Sequence, residues 1–169
     1  MRARRPPTDP AVARWAWLDP GPMVDGDLEL VLAERAEADP ALGHVPAYRF
    51  LLVRRAARSA PEVAGRIELR VGTTPDLERY AGHVGYSVAP PHRGRRLAAR
   101  AVRLLLPLAR RHGMATLWIT CNPDNAASRR TCELVGALHV ETVPLPKGHV
   151  LRQAGDVEKC RYRLDLGPG

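Results

Sequence analysis

The stretch YSVAPPHRGRRLAARAVRLLLPLARRHG, residues 86–113, joins two periodicities across one turn. Its first residues, Tyr86 to Val88, end a short β-type run. From Leu97 onward, Leu97, Ala101, Leu104, Leu105 and Leu108 fall on one stripe of a helix with 3.6 residues per turn. Between them lies HRGRR, which holds one glycine, Gly94, and three arginines, Arg93, Arg95 and Arg96. A glycine at a strand-to-helix corner lets the backbone turn tightly, and the first N–H groups of the helix have no partners within it. Together with the helix dipole these groups make the corner a place for an anion, and flanking arginines point to phosphate. Taken alone, the corner is equally compatible with a solvated surface turn, so its surroundings decide.

Outward from this corner the chain reads as one α/β domain. Leu28, Leu30 and Leu32 mark a first strand, and AYRFLLVRR from Ala47 a second. In EVAGRIELRV, Val63, Ile67, Leu69 and Val71 face one way and Arg66, Glu68 and Arg70 the other. ARSAPE between these two strands predicts a hairpin loop. In TTPDLERY, Thr74 is a candidate N-cap with Pro75 at the first helical position, which predicts a short helical turn. GHVGYSV is the strand that feeds the corner. The helix from Leu97 to His112 contains Pro107, which removes one backbone donor, and Gly113 stops it. ATLWITC follows as a buried strand, parallel to GHVGYSV because a helix joins the two. NPDN opens a second helix over Ala126–Leu134, closed by Gly136, and LHVETV and KCRYRLDL make the last two strands. The expected fold is thus a mixed, mostly antiparallel sheet with a central parallel strand pair and two main helices. Residues 1–23 are rich in proline and lack periodicity, which predicts a loose arm before a single domain over 24–169.

Composition narrows the function classes. With 169 residues, 45% of them hydrophobic, the chain is long enough for a core of its own. No apolar run approaches the ~18 residues of a membrane span, and no apolar stretch follows the basic start as it would in a secretory signal. Cys121, Cys132 and Cys160 are scattered and odd in number, without metal-ligand pairs, which fits a reducing cytoplasm and no metal site. The net charge of +8 raises the question of nucleic acid. Nearly all of the basic residues are arginine, with Lys147 and Lys159 the only lysines, and alanine and proline are abundant, so the bias is general rather than local. Aromatic residues, at 5%, offer little for base stacking, which argues against a dedicated nucleic-acid binder.

This order of elements, with GHVGYSVAPPHRGRRLA and ITCNPDNAASRRTCELVGA within it, resembles the GCN5-related N-acetyltransferase (GNAT) family over most of the chain, from about Leu28 to Leu166. The resemblance implies that the corner cradles the pyrophosphate of acetyl-CoA. The family's usual turn, Arg-Gly-x-Gly-x-Ala, stands here as Arg93, Gly94, Arg95, Arg96, Leu97 and Ala98, so Arg96 takes the place of a second glycine and Pro91 that of the usual Gln or Arg. Ser87 and Val88, at the end of the strand, join the implied cofactor-binding set. On the second helix Asn125, Ser128 and Cys132 share one stripe. The resemblance assigns Asn125 to the pantetheine or phosphates, with Ser128 beside it, and places Cys132 where the family often has a tyrosine that protonates the leaving thiolate. A thiol can act as such an acid, whereas a buried cysteine is more often a small core residue.

The family's chemistry, direct transfer of acetyl from the thioester to an amine, needs a base that keeps the amine neutral. On the fourth strand His83 is the candidate; Glu68 on the preceding strand is the second, and Glu78 or Tyr80 stand at the cleft rim. The expected activity is a cytoplasmic, acetyl-CoA-dependent N-acetyltransferase acting on a small-molecule or peptide amine. A non-catalytic acyl-CoA-binding regulatory module, and a basic protein that binds RNA or the ribosome, remain as alternatives. Only AERAEADPALGHVP separates Leu32 from Ala47, leaving no room for the family's usual helical pair. An open cleft, or one completed in a homodimer, follows from that shortage.

Overall fold

The computed structural model describes residues 16–55 and 60–167. Among these residues eight strands form two sheets: β1 (Val24–Asp25), β2 (Leu28–Ala36), β3 (Ala47–Arg54), β4 (Glu62–Arg70) and β5 (Val84–Val88) in one, and β6 (Thr116–Cys121), β8 (Glu158–Asp165) and β7 (Leu138–Pro144) in the other, with β8 in the middle. Three α-helices accompany them among the described residues: α1 (Leu97–Arg111), α2 (Ala126–Leu134) and the short α3 (Val150–Gln153), which has no counterpart in the sequence pattern. The loop expected between β3 and β4 falls partly on residues 56–59, outside the described residues.

Strand alternation sets the inner faces. Tyr48, Phe50 and Leu52 of β3 and Ile67 and Leu69 of β4 are buried against Leu105 and Leu108 of α1 and Leu117 and Ile119 of β6. The stripe read on α1 is the buried one, with Leu104 partly exposed. Pro107 lies on its solvent side, where water can satisfy the carbonyl that loses its donor. In β4 the alternation slips. The register between β3 and β4 shifts at Leu52/Val53, so Ala64 is buried and Val63 is 56% exposed, against the expectation that Val63 faces the core. An irregular register of this kind moves the residues beyond it to the other face. Within the segment expected to be a loose arm, Trp17 meets the Tyr48 ring edge-on at 4.8 Å, and the Leu18 N–H donates to the Tyr48 hydroxyl at 2.7 Å.

The expected parallel strand pair is corrected by the structure: among the described residues every pairing between strands is antiparallel, and β5 and β6 belong to different sheets. They meet at their starts. The His83 N–H donates to the Trp118 carbonyl at 2.6 Å, and the Trp118 N–H donates to His83 Nδ1 at 2.9 Å. Just before this tie Gly82, at φ +74°, brings its backbone so close to β6 that a Cβ would stand 3.1 Å from both the Trp118 oxygen and the Thr120 nitrogen. The π-helical segment Leu77–Ala81 that leads into it is capped by Thr74, whose hydroxyl accepts from the Leu77 N–H at 3.1 Å. Beyond the tie the two strands share no ladder, and the gap between their ends opens toward the corner before α1.

Burial pushes the His83 imidazole down to about 4, with the Gly72 carbonyl accepting from the ring. The folded protein therefore holds this ring neutral, whereas in the unfolded chain it titrates near ~6.5. Between those values the unfolded state binds the extra proton, so the contribution is complete above pH ~6.5 and is lost as pH falls toward 4. Denaturant unfolding across this window should show stability falling more steeply with acid in the wild type than in His83→Asn. Equal slopes would mean that His83 is not held neutral.

Candidate functional site

The corner is built from β5, a 3₁₀ turn over Pro90–His92, and the start of α1. Gly94 has φ +78°, and Arg96, at φ +57°, is the one non-glycine with positive φ among the described residues. Arg96 is also the N-cap of α1, and no side chain caps that end. The first N–H groups of the helix are thus left for another acceptor. The position where Arg replaces a second glycine is the position that needs the left-handed conformation, at a cost of about 1 kcal/mol or more for a residue with a Cβ. Arg93 folds back, its Nε donating to the Val88 carbonyl at 3.0 Å. Opposite stands α2, whose N-cap Asn125 accepts from the Ser128 N–H at 3.0 Å.

Between these elements lies a cavity of about 630 Å³. Of the ten residues expected to hold the cofactor, Ser87, Val88, Arg93, Gly94, Arg96, Leu97, Ala98, Asn125 and Ser128 line it, and Arg95 does not. Six further residues, Tyr86, His92, Ala127, Arg130, Thr131 and Leu134, line it without having been expected there. Tyr86 is legible in principle, since Val84, Tyr86 and Val88 alternate inward along β5. Its hydroxyl lies 2.8 Å from Ser128 Oγ, and burial pushes its ionisation up. His92 Nδ1 is the one buried side-chain nitrogen or oxygen atom among the described residues with no hydrogen-bond partner.

A second cavity, of about 580 Å³, lies over the other face of β4 and β5 and shares Tyr86 and Ser87 with the first. Cross-strand register builds its floor. Glu34 of β2 pairs with Arg49 of β3, Arg49 with Glu68 of β4, and Glu68 with Gly85 of β5, so these side chains form one row on one face. Arg49 bonds Glu34 at 2.8 Å and Glu68 at 3.4 Å, and Glu68 also pairs with Arg70. Gly85 leaves the space that the Glu68 carboxylate occupies, 3.2 Å from where a Cβ would be. The next row up is Leu51, Arg66 and Ser87.

The three candidate catalytic side chains are not brought together. Glu68 lines the second cavity; His83, 3% exposed and engaged with Trp118, lines neither. Cys132 is fully buried and also lines neither, and the hydrogen bond its thiol donates to Cys121, together with burial, pushes that thiol up. Of the two rim candidates, Glu78 accepts from the Thr73 hydroxyl at 2.6 Å and Tyr80 packs on the His149 ring, and both lie outside the two cavities. No group of three or more His, Cys, Asp or Glu side chains suited to a metal is found among the described residues, and no helix there is long and apolar enough to cross a membrane.

Comparison with known proteins gives a family. The family model described as acetyltransferase (GNAT) domain matches residues 7–137. Among solved structures, RimL, the ribosomal L7/L12 α-N-protein acetyltransferase, is 19% identical, with a TM-score of 0.59 over 85% of this chain and 96% of that one. The ribosomal-protein-S5-alanine acetyltransferase of Vibrio fischeri is 17% identical, with a TM-score of 0.55 over 72% of this chain and 62% of that one. The microcin C7 self-immunity acetyltransferase MccE, in complex with acetyl-CoA and AMP, is 16% identical, with a TM-score of 0.54 over 70% of this chain and 61% of that one. The chain thus spans less than two thirds of the length of the last two, and at these identities the likeness is one of fold. No curated protein matches the chain by sequence.

The strained corner is testable without any ligand. Arg96→Val places a β-branched residue at φ +57° and should destabilise the fold by about 1–2 kcal/mol relative to Arg96→Gly in denaturant unfolding. Equal stability of the two variants would show that residue 96 is not left-handed in solution.

Proposed function

The chain belongs to the GNAT acetyltransferase family, and we propose that it moves the acetyl group of acetyl-CoA directly onto a primary amine held in the cavity over β4 and β5. The observation that carries this reading is the pair of cavities meeting at Tyr86 and Ser87, one with anion-binding character and the other lined by carboxylates and guanidiniums. The first fits acetyl-CoA. Its uncapped helix start suits a pyrophosphate, Arg93 and Arg96 add positive charge, and the unpartnered His92 Nδ1 awaits a polar group. The backbone from Gly94 to Ala98 would hold the phosphates, and Asn125 and Ser128 would flank the pantetheine. Acetyl-CoA supplies a thioester whose carbonyl carbon is open to attack.

The amine must lose a proton before or as it attacks, because the ammonium form has no lone pair. Glu68 is the carboxylate positioned for this: it lies in the acceptor cavity beside the strand that both cavities share, and its guanidinium partners fix its orientation. His83 holds the sheets together instead, both sides of its ring engaged by backbone. Cys132 packs the core beneath the cradle, and the departing thiolate takes its proton from water.

Two measurements test the reading. Gly94→Val, at φ +78° and facing open space in the cradle, should abolish acetyl-CoA binding in calorimetry; unchanged affinity would sink the cradle. Glu68→Gln should lower turnover, read as CoA release, by ~10²-fold with acetyl-CoA affinity preserved, whereas a His83→Asn protein that folds should retain turnover within ~10-fold. Acetyl-CoA binding without CoA release across an amine panel would instead identify a binding module.

A further inference from the structure

Resting on that acetyl-transfer reading, we infer that the acceptor is a free amino acid, recognised through its carboxylate by Arg66. The argument is one of charge and spacing. Two carboxylates, Glu34 and Glu68, and two guanidiniums, Arg49 and Arg66, line the acceptor cavity. Arg49 is paired with both carboxylates, and Glu68 carries a second guanidinium from Arg70. The acidic charge of the floor is therefore answered from within.

Arg66 is not. It is exposed, it has no carboxylate partner among the described residues, and its Nε reaches only the Ser87 hydroxyl, at 3.4 Å. The residual charge of the cavity is positive and sits at this fork. A guanidinium is shaped for bidentate pairing with a carboxylate, and such a charge-assisted pair is stronger than a neutral one. Polyamines bring only positive charge to a cavity whose carboxylates are already matched, and they leave Arg66 unanswered.

Position supports the same class. Arg66 and Glu68 are two residues apart on β4, on one face, and so about 6.6 Å apart along the strand. Across the ladder Arg66 stands opposite Ser87 and Glu68 opposite Gly85, so both side chains flank the segment of β5 where the two cavities meet. A molecule with an amine and a carboxylate on one carbon, lengthened by a hydrogen bond at each end, spans an interval of this order. Its amine lies toward Glu68 and the thioester, and its carboxylate lies in the Arg66 fork. A peptide N-terminus offers only a neutral amide carbonyl at that point.

The test uses the whole chain with acetyl-CoA and follows CoA release with the free amino acids, their carboxamides, short peptides and spermidine. The best acceptor should be a free amino acid, favoured in kcat/KM over its own carboxamide by ~10-fold or more. Arg66→Gln should bring the two within a few-fold of each other while leaving the acetyl-CoA Kd unchanged, and Arg66→Lys should keep part of the preference. A carboxamide, peptide or spermidine as the better acceptor, or a preference that survives Arg66→Gln, would overturn the assignment to a free amino acid while leaving acetyl transfer intact. Release with none of these amines by a protein that binds acetyl-CoA would overturn the transfer reading itself, and this inference with it.

Discussion

Two hydrogen bonds between His83 and Trp118 hold the two sheets of this protein together at one end of β5 and β6. Because the strands are tied there and diverge beyond, the backbone on the open side of β5 is not consumed by a ladder, and the space that results runs toward the corner before α1. A continuous sheet would have satisfied the same groups and left no cleft. A neutral imidazole is well matched to this junction. Its Nδ1 accepts from β6 while the rest of the ring meets the Gly72 carbonyl, so one side chain completes hydrogen bonding that two strand edges would otherwise share. Gly82 permits the approach, since any Cβ there would crowd the β6 backbone. Placing both cavities beside this junction is what lets one strand, β5, line both of them.

The corner concentrates cost where ligand binding can return it. Arg96 in a left-handed conformation, an uncapped helix start and an unpartnered His92 nitrogen are each unfavourable in a protein that binds nothing. They lie around one cavity. An anion there would satisfy free donors and add a charge partner for the arginines, so the same features that destabilise the empty corner favour its occupied form.

Most of the fold is legible because it is written in local periodicity. The second helix falls on Ala126–Leu134, where an NPDN start and a Gly136 stop predict it, and Leu97 to Leu108 gives the buried stripe of α1. What escapes depends on pairing across distant strands. Nothing in GHVGYSV or ATLWITC says whether the two form a ladder or only touch at one residue, so the pattern suggests a parallel pair where the structure has a two-sheet junction. His83 suggests a base for the same reason: its type suits acid–base chemistry, and only the partner strand reveals that its ring is spent on backbone. The slip that turns Val63 outward is likewise a property of β3 against β4. The corner residues that line the first cavity are legible because they are contiguous, whereas the Glu34, Arg49 and Glu68 row joins three strands and exists only in the register.

That row also follows from what the chain lacks. Only a short 3₁₀ turn, Pro40–Leu42, stands between β2 and β3, so among the described residues no helical pair from this connection covers this face of the sheet. An uncovered face favours polar side chains, and this one carries Glu34, Arg49, Arg66 and Glu68 beside the half-buried Leu51. Cross-strand pairs of opposite charge keep such a face stable at about 0.2–1 kcal/mol each. The same solution leaves an open, charged floor against β5. The short connection between β2 and β3 therefore leaves this face open and lined by charge where it meets β5.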